Sequence, residues 1–292
     1  MTYERLCDLH THSTFSDGTL TPTELIGEAA RLGLSAVALT DHNTLAGIRE
    51  FRAAAEGSGV EAIPGIEIST DYGPHEFHLL GLYLNEDAEE KILAVLSEMK
   101  QEKRKSNERL VAALCEAGYP LDLAAITAAT PKGEINRAHI ATALYGAGYV
   151  DSIKEAFATL LAPERGYYQP PKRPETLAMI RLLHSLGAVS VIAHPYLTMH
   201  GEALREFLTE AKACGLDGVE VRYPLYSEEE AAEAAALAEE LDLLPSGGSD
   251  FHGARKPDIA LGSGRGRLAI PYSWAEALRR RGEMYERGKS YM

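Results

Sequence analysis

Cysteine is scarce in this 292-residue chain: Cys7, Cys115 and Cys214 are widely separated and form no Cys-x-x-Cys pair. Reduced thiols in a cytoplasm are therefore expected rather than a disulfide framework. No apolar run approaches the ~20 residues that span a bilayer, so no membrane role is expected. Met1-Thr-Tyr-Glu-Arg5 lacks the basic-then-apolar pattern of an export signal. Positive charge is in deficit, with a formal net charge of −14. That excess argues against long duplex nucleic acid as a partner, but leaves room for a small anion drawn to a local cationic site. Gly-x-Ser-x-Gly and P-loop patterns are missing, so the chain offers no obvious protein nucleophile. Internal repeats and low-complexity linkers are missing too.

Histidine is what the chain has, and where it lies matters. In Asp8-Leu-His-Thr-His-Ser-Thr-Phe-Ser-Asp-Gly18, alternation along a strand points His10 and His12 the same way, about 7 Å apart. Asp17 follows on the next turn. Alone, such a pair is a weak signal. Further candidates adjoin other strand signals: Thr40-Asp41-His42 follows Ala36–Leu39, Glu67 closes Ile63–Ile68, and His78 opens Phe77–Tyr83. His194 ends Val189–Ala193, while Asp250 and His252 follow Leu243–Ser249. Scattered packing histidines would not sort themselves in this way. Imidazole and carboxylate donors without thiolate suit Mn²⁺, Fe²⁺ or Zn²⁺ over softer metals.

Strand and helix signals alternate along most of the chain. Thr21-Pro22-Thr23-Glu24 reads as a capping box with Pro at the first helical position. Leu25, Ala29 and Leu32 then mark one apolar face, and Gly33 stops the helix. Strands are expected from Leu6 and over 35–39, 60–68, 77–84, 188–193, 218–222 and 243–246, with helices over 45–56, 175–186, 202–214 and 227–241. Strands so uniformly apolar predict a parallel sheet buried on both faces, and ligands near carboxyl ends favour a barrel with its site at that rim. Residues 86–174 break the rhythm with helical patterns only. Within 100–175, eleven Lys+Arg meet nine Asp+Glu, a net +2 that leaves −16 on the remainder. The expected organisation is α/β: barrel segments 1–85 and 175–292 flanking a helical insertion, or cap, over 86–174.

Together, Asp8-x-His10-x-His12…Asp17-Gly18, Thr40-Asp41-His42, Gly65-Ile66-Glu67, Ala193-His194-Pro195 and Ser249-Asp250-x-His252 resemble the motif set of the PHP (polymerase and histidinol phosphatase) superfamily. The insertion after the fourth strand is similar to that of stand-alone bacterial phosphoesterases acting on nucleoside 3′,5′-bisphosphates and on 5′ ends of short RNA. The resemblance implies a distorted (β/α)7 barrel and two to three divalent metal ions, Mn²⁺ foremost, with Fe²⁺ or Zn²⁺ as alternatives. It implies that His10, His12, Glu67 and Asp250 hold one ion, with Glu67 bridging to a second held by His78 and His194. Asp17, His42 and His252 would hold a third or touch the substrate phosphate.

A carboxylate bridging two cations can ready a water near neutral pH, so in-line attack by metal-bound hydroxide on phosphorus is the expected reaction. A bisphosphorylated substrate needs a second anion site. Arg104 and Asn107 lie one helical turn apart. Asn136 reads as the N-cap of a helix over 137–145, Arg137 adds a guanidinium fork, and Arg165 stands near the end of the insertion. Tyr167 or Tyr168 can stack on a base, whereas His75, His139, His184 and His200 are left to packing or solvent. The expected activity is removal of the 3′-phosphate from nucleoside 3′,5′-bisphosphates such as adenosine 3′,5′-bisphosphate. Alternatives are 5′→3′ exonuclease action on short RNA, histidinol-phosphate hydrolysis, or a non-catalytic structural module. The partners expected are a small phosphorylated nucleotide or short RNA, with no obligate protein partner.

Overall fold

The computed structural model describes residues 5–130 and 135–289. By their contacts these form two units, Met1–Ala94 with Pro174–Met292, and Val95–Arg173.

The first unit is built on an eight-stranded sheet ordered β7-β6-β5-β4-β3-β2-β1-β8. Its strands are β1 (Leu6–Asp8), β2 (Ala36–Leu39), β3 (Glu61–Tyr72), β4 (His75–Leu82), β5 (Val189–Ala193), β6 (Gly218–Arg222), β7 (Leu244–Gly247) and β8 (Ile270–Pro271). The sheet curls into a nearly closed barrel because the chain beyond β1 meets the chain beyond β7. Leu9 N–H donates to Gly247 O at 3.3 Å, Asp250 N–H to His10 O at 2.8 Å and His12 N–H to Phe251 O at 3.0 Å. Cys7, Leu9, Ile63, Leu80, Val191 and Ile270 belong to one buried apolar cluster.

The expected parallel sheet is corrected at two places. β4 runs antiparallel to both β3 and β5, and β8 runs antiparallel to β1. β3 and β4 form a hairpin in which Tyr72 faces His75 across Gly73-Pro74. Gly73 takes the positive φ of 58° that such a two-residue turn needs. A strand covered on both faces shows no polar alternation whichever way it runs, so the pattern could not reveal direction. β8, at two residues, is too short to leave a pattern.

Helices α1 (Pro22–Arg31), α2 (Ile48–Ala55), α7 (Thr176–Leu186), α8 (Gly201–Ala213), α9 (Glu228–Glu240) and α10 (Tyr272–Lys289) belong to this unit. The capping box at α1 is present: Thr21 Oγ1 accepts from Glu24 N–H, and the Glu24 carboxylate accepts from Thr21 N–H at 2.8 Å. Gly187 ends α7 in the left-handed conformation.

The long helix α3 (Glu86–Glu116) runs from the first unit into the second, which also holds α4 (Leu123–Ala129), α5 (Arg137–Gly146) and α6 (Ile153–Ala158). Leu110, Leu114, Ile140, Leu144, Ala156 and Leu161 form its core. Among the described residues, no helix is long and apolar enough to cross a membrane.

Candidate metal centre

Glu67, on β3, is completely buried, and five imidazoles converge on its carboxylate. Oε1 lies 2.7 Å from His78 Nδ1 and 3.1 Å from His194 Nε2. Oε2 lies 2.8 Å from His42 Nδ1 and 3.3 Å from Nε2 of both His10 and His12. Asp250 Oδ1 stands 3.1 Å from His12 Nε2 and 3.7 Å from His10 Nε2. Asp17 Oδ1 is 3.2 Å from His252 Nε2 and 3.9 Å from His42 Nε2. All nine residues expected as ligands are thus gathered, and His12 also stacks at 4.3 Å on His42 and approaches His252 at 4.2 Å.

The hairpin explains His78. It lies in the first half of β4, and because β4 runs backwards it pairs with Ser69 late in β3 and with Ala193 at the end of β5. Antiparallel pairing therefore brings it to the same rim as the candidates that close their strands.

Orphaned atoms test whether these residues suit a cation. His10 Nε2, both ring nitrogens of His12, Asp17 Oδ1 and Glu67 Oε2 are shut from solvent and, although most have polar neighbours close by, none makes a well-aligned hydrogen bond. Buried polar atoms without aligned hydrogen bonds are rare, and five facing one another suit a cation placed among them. Four overlapping trios and quartets offer donor atoms within 4.8 Å of one another: His10/Glu67/His194, His10/His12/Asp250, His42/Glu67/His78 and His12/Asp17/His42/His252. Only nitrogen and oxygen donors are present, as hard or borderline divalent cations require.

The charges are arranged to match. Burial would drive the His78 proton off, but Glu67 more than reverses this and lifts its pKa to about 9. His10 and His42 are raised against burial by the same carboxylate. His12 is lowered to about 3 by burial. Burial alone would raise Glu67 and Asp250, yet their imidazole neighbours hold both well below the usual carboxylate range. A cation must displace the protons of the raised histidines. Mn²⁺ uptake should therefore tighten as pH rises from 6 towards about 9, where His78 loses its proton. Competition with a chelator at several pH values measures this; a flat profile would contradict it.

Several residues around the centre were given no role by sequence reasoning. Glu220, wholly buried on β6, accepts from His194 N–H at 2.7 Å and sits 3.1 Å from His10 Nδ1. Its signal was a lone acid inside Gly218-Val-Glu-Val221. Asp250 Oδ2 accepts from Tyr223 OH at 2.8 Å and from Lys256 Nζ at 2.6 Å, which turns Oδ1 towards His10 and His12. Asp41 takes Ser13 N–H at 2.7 Å and the Ser13 and Ser16 hydroxyls at 2.6 Å, fixing the turn after His12. Asp8 accepts from the N–H groups of Ser249 and Gly262, each at 2.8 Å, and burial pushes its pKa up to about 6.

The remaining expected residues lie in the second unit. Arg104 and Asn107 line a cavity of about 440 Å³ together with Lys100, Lys103, Leu123 and Ile135. Arg104 is exposed, whereas Asn107 is buried and donates to Ile135 O at 2.9 Å. Asn136 caps α5 as expected, its side chain accepting from Ala138 and His139 N–H, so those amides are already engaged. The Arg137 guanidinium lies 4.2 Å from the ring centroid of Tyr168, and both Tyr167 and Tyr168 pack on the helical core. Arg165 is exposed at the end of a 3₁₀ turn. Of the unassigned histidines, His139 Nδ1 accepts from Asn136 N–H, His184 packs on Tyr285, His200 lies beside Tyr196, and His75 is exposed at the hairpin turn.

The sequence profile of the PHP domain matches residues 8–168. The chain belongs to the PHP family. Among the relatives of this PHP chain is a 5′-3′ exoribonuclease of Haemophilus influenzae, 35% identical over 84% of this chain and 89% of the relative. Another is a 3′,5′-nucleoside bisphosphate phosphatase of Chromobacterium violaceum, 33% identical over 84% of this chain and 86% of the relative. The crystal structure of a predicted metal-dependent phosphoesterase from Bifidobacterium adolescentis superposes on the PHP chain with a TM-score of 0.73. It shares 31% identity over 95% of this chain and 96% of that one.

Proposed function

We propose that this chain, a metal-dependent phosphoesterase of the PHP family, removes the 3′-phosphate from nucleoside 3′,5′-bisphosphates such as adenosine 3′,5′-bisphosphate. The observation that carries the reading is Glu67 with five imidazoles around one buried carboxylate, flanked by Asp250 and Asp17. A non-catalytic module would gain nothing from the orphaned donors there, which cost stability unless a cation binds. His10, His12, Glu67, His78, His194 and Asp250 are the residues proposed to hold two divalent cations, Mn²⁺ foremost, with Fe²⁺ or Zn²⁺ as alternatives. Asp17, His42 and His252 are proposed for a third cation or for the substrate phosphate itself. Cations so held would neutralise phosphoryl oxygens and bring a water's pKa near neutrality.

The chain's own side chains set the geometry. Glu67 presents its two oxygens to two different groups of imidazoles, and Tyr223 with Lys256 locks Asp250. Exposure supports a direction of entry. Asp17, His42 and His78 are 42%, 28% and 23% exposed, while His10, His12 and Glu67 are at 0%. The phosphate would then meet the Asp17–His42 side first.

Arg104, Arg137 and Arg165 are proposed for the second phosphate, whereas Asn107 and Asn136, whose side chains already serve Ile135 O and the first amides of α5, are left to hold the helices. The Haemophilus relative supports a second reading, 5′→3′ exonuclease action on short RNA. Mn²⁺-loaded protein should be assayed on adenosine 3′,5′-bisphosphate, a 5′-phosphorylated dinucleotide, histidinol phosphate and p-nitrophenyl phosphate. The expected result is that the bisphosphate is turned over fastest. Arg137→Ala should lower kcat/KM on it about 10–100-fold, the worth of one charge-assisted contact, and spare p-nitrophenyl phosphate. Faster cleavage of the dinucleotide would favour the RNA reading, and equal losses on both monoesters would remove Arg137 from recognition.

A further inference from the structure

The cluster around Glu67 leaves one adjoining buried acid without a role. Glu220 lies in the middle of β6, fully shielded from solvent, and both of its oxygens are taken. Oε1 faces His10 Nδ1 at 3.1 Å, on the side of the ring away from Glu67. Oε2 accepts the backbone N–H of His194 at 2.7 Å. His194 is in the left-handed region at φ 31°, ψ 50°, a strained conformation for a residue with a side chain. That turn directs His194 Nε2 to Glu67 Oε1 at 3.1 Å. Directly beyond Glu220 the β6–β7 pairing slips by one residue, Glu220 facing Ser246 and Arg222 facing Gly247. Bulges of this kind re-aim side chains beside functional sites.

We propose that Glu220 is the positioning residue of this centre, holding His10 with its proton on Nδ1 and pinning the left-handed turn of His194, so that both rings present Nε2 inward. This inference rests on the metal reading of the site, and concerns a residue outside the proposed ligand set. A neutral imidazole has one donor nitrogen and one acceptor nitrogen, so a carboxylate on Nδ1 leaves the Nε2 lone pair free to face the centre. Partners of this kind on ligating histidines tune affinity by 10–100-fold.

Glu220→Gln tests the idea sharply because two donors meet Glu220 and an amide can accept with only one of its atoms. In either orientation its NH₂ faces His10 Nδ1–H or His194 N–H, donor against donor. The expected result is a 10–100-fold weaker Mn²⁺ affinity by chelator competition. kcat should recover at saturating Mn²⁺, and the metal-free melting midpoint should move far less than the metal-induced shift. In Zn²⁺-loaded wild-type protein, a long-range ¹H–¹⁵N spectrum should show His10 protonated on Nδ1 with Nε2 bound. Wild-type affinity in Glu220→Gln, or His10 bound through Nδ1, would overturn the proposal while leaving the metal centre intact. If the variant fails to fold, the wild-type spectrum decides alone. A wild-type chain that takes up no cation would sink the metal reading and this inference with it.

Discussion

Glu67→Gln is expected to lower kcat/KM on a phosphomonoester by at least about 10³-fold, which is about 4 kcal/mol of barrier. The reason is the number of groups that depend on one carboxylate. Oε1 serves His78 and His194, and Oε2 serves His10, His12 and His42. An amide carries no charge to share between cations, and its NH₂ would oppose the imidazoles on one side. The same carboxylate raises His10, His42 and His78 against burial, so its loss removes their common counter-charge. Metal content measured by mass spectrometry should fall together with activity. A Glu67→Gln protein retaining wild-type metal content and more than a tenth of the activity would refute the assignment of Glu67 as the shared ligand.

Gly248→Ala is the second large effect, and it acts through backbone alone. A Cβ at this position would stand 2.4 Å from His10 Cβ and 2.5 Å from His10 N. Neither strand end can retreat cheaply, since His10 O accepts from Asp250 N–H at 2.8 Å and His12 N–H donates to Phe251 O at 3.0 Å. Overpacking of this kind costs about 3 kcal/mol, which for a chain of this size is on the order of 5–10 °C in Tm. Because the displaced segments carry His10, His12 and Asp250, Mn²⁺ affinity should fall as well. Gly27→Ala is the control: nothing lies within 4 Å of its Cβ, and the position is inside α1. There alanine should add about 0.5–1 kcal/mol of stability. Equal melting curves for the two variants would show that the contact between the strand ends is slack.

The candidate donors were legible because imidazoles and carboxylates at strand signals are chemically conspicuous. His78 was a candidate whose expected place at the start of a strand conflicted with an all-parallel barrel, and the β3–β4 hairpin, which sets it beside Glu67, removes that conflict. Glu220 was missed because one acid in an apolar strand looks no different from a solvated edge charge until its surroundings are known. Asp41 and Asp8 stood inside the quoted motifs, yet only the folded chain shows what they hold: Ser13 and Ser16 for the first, Ser249 and Gly262 for the second.

By itself the sequence determined the donor chemistry, most helix starts and stops though not the helix α10, and the break in rhythm after the fourth strand. These are local properties, set by side-chain type and by neighbours a few residues away. Strand direction, the closure of β1 onto β7 and the meeting of Glu220 with His10, 210 residues distant in the chain, were decided only by tertiary structure. Such pairings depend on which surfaces bury one another, and spacing along a chain carries no record of that.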